Sequence, residues 1–250
     1  MTLEAVVFDL GDTIVLTDLW DYDTCLKSML ESFRRDGVSL SSSFEEFKCI
    51  YFEIRDQMYH DSEEMLEEVD FVQRIGFTLN RLNHPFNHDS PVLLRAAYSF
   101  LNSFIQQARM ETYTLALLLK VKKKYKLGLV SNFAFARGFP KLLEHFHLSN
   151  LFDAIVVSGE FGLRKPHPHI FEEVLQDLDV EADRAVFVGD SLKADIYGAK
   201  RLGFKTILVE NAGLRKNPYA VASELDPFPI EPDVRIPTLK ELPRALRSFQ

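Results

Sequence analysis

Residues 5–15 read AVVFDLGDTIV, and this stretch sets the expectation for the whole chain. Its first four residues form an apolar run typical of a buried strand, and Asp9 follows them directly. An acidic side chain at the end of a buried strand is costly unless it is paired or bound to a metal ion, so Asp9 is a candidate functional residue. A second acid, Asp12, comes three positions later, and Gly11 lies between the two.

Further apolar runs of the same kind occur in the second half of the chain and alternate with helical patterns. Short buried runs spaced by helices are typical of parallel strands in βαβ units. The runs are 127–130, 154–157, 185–188 and 206–209, with a last short one at 234–236 before a closing helix. The sequence therefore predicts an α/β fold with a parallel-sheet core formed by residues 1–16 and 113–250.

Residues 17–112 have a different texture, because long helical patterns replace the short apolar runs. Ser43 with Glu46 resembles a capping box, and Gly37 is a candidate helix stop. The patterns cover 21–37, 43–60, 63–82 and 90–109. We expect an all-helical domain inserted after the first strand, attached through linkers near residues 14–20 and 108–114.

Composition limits the possible classes of protein. The chain has 250 residues and a net charge of −8, which argues against a nucleic-acid binder because phosphate backbones are held by excess Lys and Arg. No run of 18 apolar residues is present, so no membrane span or membrane partner is expected. Cys25 and Cys49 are expected to be free thiols in a reducing cytoplasm. We expect a cytoplasmic monomer or homodimer acting on a small molecule.

The ends of the predicted strands carry most of the candidate functional residues. These are Asp9, Ser131, Asn132, Lys165, Asp190 and Asp195. Ligands bind at the carboxyl ends of the strands in an open parallel sheet, so these groups are expected on one rim. Carboxylates there would repel each other, and Mg²⁺ relieves this by taking one or two carboxylates plus a substrate phosphate. The serine, the asparagine and the lysine are then expected to hold phosphate oxygens, and Asp9 to face the phosphorus.

Four segments, in order along the chain, carry a resemblance to a known family. They are FDLGDT at 8–13, GLVSN at 128–132, RKPHPHIF at 164–171 and FVGDSLKAD at 187–195. On these segments the chain resembles the phosphatase branch of the haloacid dehalogenase superfamily. The resemblance implies a Rossmann-like core with a helical cap, residues 17–112, inserted between the first two segments.

The same resemblance implies a role for each site residue. Asp9 would be the nucleophile that forms an aspartyl-phosphate. Mg²⁺ would be held by Asp9, the backbone carbonyl of Gly11 and Asp190, while Asp195 would be a further ligand or would orient the water of the metal. Ser131 and the lysine named above would hold the phosphoryl oxygens.

Residue 11 departs from the family pattern, which has a second aspartate there as general acid and base. Gly11 keeps the backbone carbonyl, so metal binding is unaffected, but the proton-transfer group is missing. Asp12 is one residue late, and a shift of one residue in an extended segment reverses the direction of a side chain. Two roles of Asp12 remain open, that of a catalytic acid and that of a turn-forming residue.

Other functions remain open at this level. A dehalogenase of the same superfamily needs no general acid, which suits Gly11, but the acidic cluster opposes an anionic substrate. A phosphonatase needs a cap lysine, and only Lys27 and Lys48 lie within 17–112. A binding protein that has lost turnover with its second acid is the alternative from a different class. The histidine pairs His167 with His169 and His84 with His88 have no third zinc ligand at a recognisable spacing, so solvated histidines are expected.

Overall fold

The computed structural model describes residues 2–87, 89–211 and 229–249. Its centre is a six-stranded sheet in the order β3-β2-β1-β4-β5-β6, with every neighbouring pair parallel. The strands are β1 Ala5–Phe8, β2 Lys126–Ser131, β3 Ala154–Val157, β4 Ala185–Gly189, β5 Lys205–Val209 and β6 Val234–Ile236. The predicted α/β fold is confirmed, and each predicted strand agrees with the structure to within one residue at either end.

Helices surround this sheet and also form the segment between β1 and β2. That segment contains α1 Tyr22–Arg35, α2 Phe44–Asp61, α3 Phe71–Arg81 and α4 Pro91–Gln107. The later helices are α5 Thr114–Lys122, α6 Phe139–His145, α7 Ser158–Phe161, α8 Pro168–Leu178, α9 Gly198–Arg201 and α10 Leu242–Ala245, with a π-helical turn Leu192–Tyr197 before α9. In the described part of the chain, no helix has both the length and the apolarity that a bilayer crossing requires.

The central strand β1 is fully buried and faces two different cores. Val6 and Phe8 pack into a large cluster that also contains side chains of α1–α4. Ala5 and Val7, on the opposite face, pack into a second cluster with residues of α8. The chain passes from β1 to β2 on one side and later reaches β4 on the other, so the end of β1 is a topological switch point where ligands bind.

The segment α1–α4, called the helical insert below, is attached to the core where its two linkers meet. Leu16 and Arg109 exchange both backbone hydrogen bonds, at 2.7 and 3.0 Å, as a short antiparallel bridge. The Arg109 guanidinium donates to both carboxylate oxygens of Asp18, at 3.0 and 3.1 Å. Among the described residues, the insert adds no strand to the six-stranded sheet. Its exact boundaries and its movement as a unit stay predictions.

The helix predicted over 63–82 is shorter in the structure, because α3 begins only at Phe71. The Asp70 carboxylate accepts from the backbone N–H of Gln73 at 2.7 Å and fixes that start. Residues 62–70 instead form a loop that reaches the core, where the backbone N–H of Glu68 donates to Gly162 at 2.9 Å. The prediction was wrong over this loop because its side chains are helix-compatible while its backbone partners are distant in sequence.

Candidate active site

Asp9 lies at the switch point, directly after β1. Its backbone N–H donates to the carbonyl of Val188 at 2.9 Å, which extends the pairing of β1 with β4 by one residue. The side chain is 10 % exposed, and its Oδ1 accepts from the Lys165 ammonium at 2.6 Å. Burial raises the pKa of Asp9 to about 7; the ammonium opposes this rise, and the carboxylate of Asp195 adds to it.

Lys165 is buried and uses all three of its ammonium protons. They go to Asp9 at 2.6 Å, to Asp195 at 2.7 Å and to the carbonyl of Val130 at 2.9 Å. Burial alone lowers the pKa of a lysine, but the carboxylates of Asp195 and Asp9 outweigh it and raise the pKa of Lys165. The lysine is therefore a fixed positive charge that joins the ends of three strands.

Asn132 holds the lysine in place through its backbone. Its side-chain oxygen accepts from the N–H of Lys165 at 2.8 Å, and its amide nitrogen donates to the carbonyl of Lys165 at 3.1 Å. Both polar groups of the Asn132 side chain are thus hydrogen-bonded to the backbone of Lys165. The predicted contact of Asn132 with phosphate would therefore come from its own main chain. Ser131, the preceding residue, is buried at the end of β2.

Three carboxylates meet beside the lysine. One oxygen each of Asp9, Asp190 and Asp195 can be chosen so that all lie within 4.8 Å of one another. Burial, together with repulsion from Asp9 and Asp195, raises the pKa of Asp190 well above its ordinary value. The hydroxyl of Thr13 lies 3.3 Å from Asp190, a contact that the sequence reasoning did not identify.

This donor set fits a divalent cation. Three carboxylates face one ammonium, so the cluster carries excess negative charge when it is ionised. Only oxygen atoms are offered, and hard cations such as Mg²⁺ prefer oxygen ligands. Within the described part of the chain no other group of three acid, histidine or cysteine side chains offers such a set. His167 instead accepts from the backbone N–H of His169 at 3.2 Å, while His88 lies outside the described residues.

Asp195 is held against the strand end by two local features. Its Oδ2 accepts from the backbone N–H of Ser191 at 2.9 Å. A side chain on Gly189 would collide with the Asp195 carboxylate, so glycine is needed at the end of β4 for the two to approach. The carboxylate is therefore fixed from both sides before any ligand binds.

Gly11 and Asp12 follow the nucleophile candidate in a tight turn. Nothing lies within 4 Å of the position that a Cβ would take at Gly11, which faces solvent. Asp12 has a φ of +54°, and its Oδ1 accepts from both the backbone N–H and the hydroxyl of Thr17, each at 2.8 Å. This carboxylate oxygen thus supports the turn that leads into the insert.

The loop 62–70 of the insert contacts two loops of the core that carry candidate site residues, the loop with Lys165 and the loop with Asp190 and Asp195. The Glu63 carboxylate binds Arg164 at 3.1 Å and Lys193 at 3.0 Å, and these residues flank the site lysine and the site acids in sequence. The Ser158 hydroxyl also donates to the Glu68 carboxylate, at 2.5 Å. These pairs could not be predicted from the sequence, because each joins residues 90 to 130 positions apart.

Comparison with known proteins identifies the family of the chain. The family model for haloacid dehalogenase-like hydrolases matches residues 6–209. A glyceraldehyde 3-phosphate phosphatase of Pyrococcus abyssi is 27 % identical over 209 residues, which cover 82 % of this chain and 80 % of that protein.

Solved structures show the same fold over the whole chain. A 2-haloacid dehalogenase from Pseudomonas syringae superposes with a TM-score of 0.73 at 21 % identity, covering 100 % of both chains. A haloacid dehalogenase-type phosphatase from Thermococcus onnurineus superposes with a TM-score of 0.65 at 23 % identity, covering 98 % of both. With the family model spanning most of its length, the chain belongs to the haloacid dehalogenase-like hydrolases.

Proposed function

We propose that this hydrolase is a Mg²⁺-dependent phosphatase that acts on a small phosphorylated metabolite through an aspartyl-phosphate. The observation that carries the proposal is the buried carboxylate of Asp9, held 2.6 Å from the Lys165 ammonium within a cluster of three acids. A carboxylate nucleophile needs a positive surrounding when it approaches an anionic phosphate. The lysine and a divalent cation supply that surrounding together.

Asp9, the backbone carbonyl of Gly11, Asp190 and Asp195 would hold the Mg²⁺. When bound, the cation offsets the charge of the carboxylates and of the phosphate. Ser131 would hold phosphoryl oxygens together with the lysine ammonium and neighbouring backbone N–H groups.

The chain's own residues then carry two displacements. An Asp9 oxygen attacks the phosphorus, the bond to the ester oxygen breaks, and that oxygen leaves as an alkoxide or aryloxide that takes its proton from water. Water next attacks the phosphorus of the aspartyl-phosphate and releases phosphate, which restores the carboxylate. The Lys165 ammonium, whose three protons lie on protein oxygens, stabilises the phosphoryl oxygens in both steps through its positive charge. Closure of the helical insert over the substrate would keep bulk water out.

The Pyrococcus relative supports a small phosphorylated substrate, since it is a glyceraldehyde 3-phosphate phosphatase aligned over most of both chains. The dehalogenase alternative is supported only by likeness of fold, and an acidic cluster opposes an anionic haloacid. The phosphonatase alternative needs a lysine facing the site. Lys48 instead pairs with Asp23 at 2.7 Å, and Lys27 lies 4.9 Å from the ring of Phe44.

The test is a phosphate-release assay over a panel of phosphorylated metabolites, with Mg²⁺ and with a chelator. We expect release that needs Mg²⁺ and that falls to background in Asp9→Asn, because the variant loses the attacking charge at nearly constant size. Beryllium fluoride should inhibit the wild type as a mimic of the phosphorylated aspartate. Full activity in chelator would contradict the proposal and favour the dehalogenase. Binding of Mg²⁺ and phosphate without any release would favour the non-catalytic protein.

A further inference from the structure

Arg74 is a buried cation whose charge is not matched by an acid. It lies on α3 of the helical insert and is 4 % exposed. Its Nη1 donates to the Tyr51 hydroxyl at 3.3 Å, while Nε and Nη2 are buried without a hydrogen-bond partner. Among the described residues, no carboxylate lies within hydrogen-bond distance of Nε or Nη2. A fully buried arginine is rarely left unpaired, because a buried charge without partners is costly.

Aromatic rings surround this arginine. Its guanidinium carbon lies 5.9 Å from the ring centre of Tyr51, 5.4 Å from that of Tyr59 and 5.5 Å from that of Phe71. Tyr22 completes the group, since its hydroxyl lies 3.1 Å from the Tyr51 hydroxyl. These four residues are called the aromatic cage below. Ring faces attract a cation, but they offer no acceptor to the N–H groups in its plane.

The aromatic cage lies on the side of the insert that touches the catalytic loops. The backbone N–H of Phe71 donates to the carbonyl of Ala134, two residues after Asn132, at 3.3 Å. The Tyr59 ring is also in contact with Arg164, whose guanidinium carbon is 5.1 Å from the ring centre. Arg164 directly precedes the site lysine. One aromatic ring therefore separates Arg74 from the loop that carries the catalytic cation.

The two free nitrogens of Arg74 share one edge of the guanidinium. Nε–H and one N–H of Nη2 point the same way, which is the fork that binds both oxygens of a planar carboxylate. A phosphate could also accept from this fork, but its second charge would have to be desolvated among aromatic rings. A singly charged carboxylate costs less there. The fork thus has two parallel donors for one carboxylate, and because both nitrogens are buried, the surrounding rings must move apart for a ligand to reach them.

We propose that Arg74 binds a carboxylate of the substrate, so that the enzyme hydrolyses phosphate esters that carry a carboxylate at their other end. The phosphate would lie at Asp9 and the carboxylate at the fork of Arg74. This proposal rests on the phosphatase function argued above and names the substrate class for that same site. It also explains why a full positive charge is kept inside an aromatic cage.

The test compares esters that differ at one carbon, using the full chain with Mg²⁺. Phosphoglycolate has a carboxylate where 2-hydroxyethyl phosphate has a hydroxymethyl group, and 3-phosphoglycerate with glycerol 3-phosphate repeats the comparison on a longer chain. For at least one pair, Arg74→Met should lower kcat/KM for the carboxylate ester by about 10–100-fold, mainly through KM, because charge-assisted hydrogen bonds are lost. The hydroxymethyl ester should change by less than about 3-fold. Arg74→Lys should recover only part of the loss, because it keeps the charge without the fork.

Arg55→Met is the matched control. Arg55 is also a buried arginine of the insert, but its guanidinium already pairs with Asp56 at 2.6 Å. It should not alter the preference between the two esters. Thermal unfolding checks each variant, and Arg74→Lys keeps the test decisive should Arg74→Met not fold. An equal loss for both esters in the Arg74 variants would assign Arg74 a structural role and overturn the proposal.

A binding measurement separates this proposal from the proposed function. Calorimetry of 3-phosphonopropionate against ethylphosphonate, in the presence of Mg²⁺, should show at least about a 10-fold gain from the carboxylate in the wild type and none in Arg74→Met. That gain without turnover of any ester would overturn the phosphatase while supporting the carboxylate site. Turnover without an Arg74-dependent preference would support the phosphatase and overturn the carboxylate site. A larger Arg74-dependent gain for ethane-1,2-diol bisphosphate would assign the site to a second phosphate and overturn the choice of carboxylate.

Discussion

Lys165 of the core and Arg74 of the helical insert are both buried cations, and they differ in how many of their donors find acceptors within the protein. Lys165 gives all three protons to protein oxygens, two of them on carboxylates. Arg74 gives one proton to a tyrosine hydroxyl and leaves Nε and Nη2 without acceptors. The first cation joins two carboxylates and a strand carbonyl, and all three of its protons are engaged. The second has two nitrogens available for the carboxylate proposed above.

Replacing each cation with methionine tests this contrast most strongly. Lys165→Met leaves two buried carboxylates without a counter-charge, so at pH 8 without metal we expect unfolding free energy to fall by about 3–5 kcal/mol. Turnover should fall by at least about 10²–10³-fold, as for loss of one stabilising donor in a transition state. Arg74→Met should change the unfolding free energy by less than about 1 kcal/mol, because it removes unpaired donors rather than partners. Urea unfolding measures the free energy of unfolding, and kcat for an aryl phosphate measures turnover. Equal destabilisation by the two variants would contradict the contrast.

Residue 11 is glycine where the family pattern has an aspartate, and the substitution Gly11→Asp would restore that carboxylate. Asp12 has one oxygen engaged by Thr17, whereas the space beside Gly11 is open and accepts a side chain. We expect Gly11→Asp to raise the rate for alkyl phosphates by up to about 10²-fold, the lower range for a positioned general acid. The measurement is the slope of log rate against the pKa of the leaving group, which should become shallower.

Asp12→Asn is the matched control for this prediction. Asparagine also accepts from Thr17 and tolerates the positive φ of this position, so the turn should survive. The leaving-group slope should then stay as steep as in the wild type. A shallow slope in the wild type that steepens in Asp12→Asn would instead assign the proton transfer to Asp12.

The excess negative charge at the catalytic rim predicts an unusual pH dependence of stability. The pKa of Asp9 is about 7 in the folded protein against an ordinary 3.8, so the folded state binds more protons between these values. Without metal, this site therefore loses stability as pH rises from about 4 to about 7. The Tm of Asp9→Asn minus that of the wild type should grow between pH 5.5 and pH 8, by about 2–4 °C for each kcal/mol.

Mg²⁺ provides the complementary measurement. Because protons and the cation compete for the same carboxylates, Mg²⁺ should raise the Tm of the wild type more at pH 8 than at pH 5.5. A Mg²⁺ effect that is equal at both pH values would contradict the raised pKa of Asp9. Asp190→Asn should reduce the effect at pH 8.

We expect the smallest effect at Glu63, which forms two ion pairs near the surface. Its carboxylate joins Arg164 and Lys193, and its side chain is 41 % exposed. Surface ion pairs contribute at most about 1 kcal/mol, so Glu63→Gln should change the unfolding free energy by less than that. Because the pairs link the insert to both catalytic loops, KM should rise by about 2–5-fold with kcat almost unchanged, an effect equivalent to at most about 1 kcal/mol. Unchanged kinetics at low and high salt would contradict a role in closure.

The sequence was sufficient for the strands and for the residues at their ends, for a definite physical reason. Buried parallel strands are short apolar runs, and Asp9, Ser131 and Asp190 follow such runs directly. The order of the strands was not predicted, because pairing between β1 and β4 joins residues far apart in the chain.

The side-chain partners inside the site could not be predicted in the same way. Asn132 was expected on phosphate, and its side chain instead holds the Lys165 backbone. Arg74 lies within the helical pattern 63–82 and was not identified as a candidate from the sequence; only its burial among tyrosines distant in sequence gives it significance. Both depend on contacts across 20 to 30 residues or more, which neither periodicity nor motif spacing records.

The bridge between Leu16 and Arg109 has a consequence for how this protein could change over evolutionary time. Because the chain leaves the core and returns to it at one paired position, the ends of the insert are neighbours. A segment with adjacent ends can be exchanged for one of another length at little cost in loop closure, since that cost grows only logarithmically with length. The six-stranded sheet would keep its register while the insert is replaced. Under the proposed function, the chemistry and the choice of substrate would then belong to separable parts of one chain.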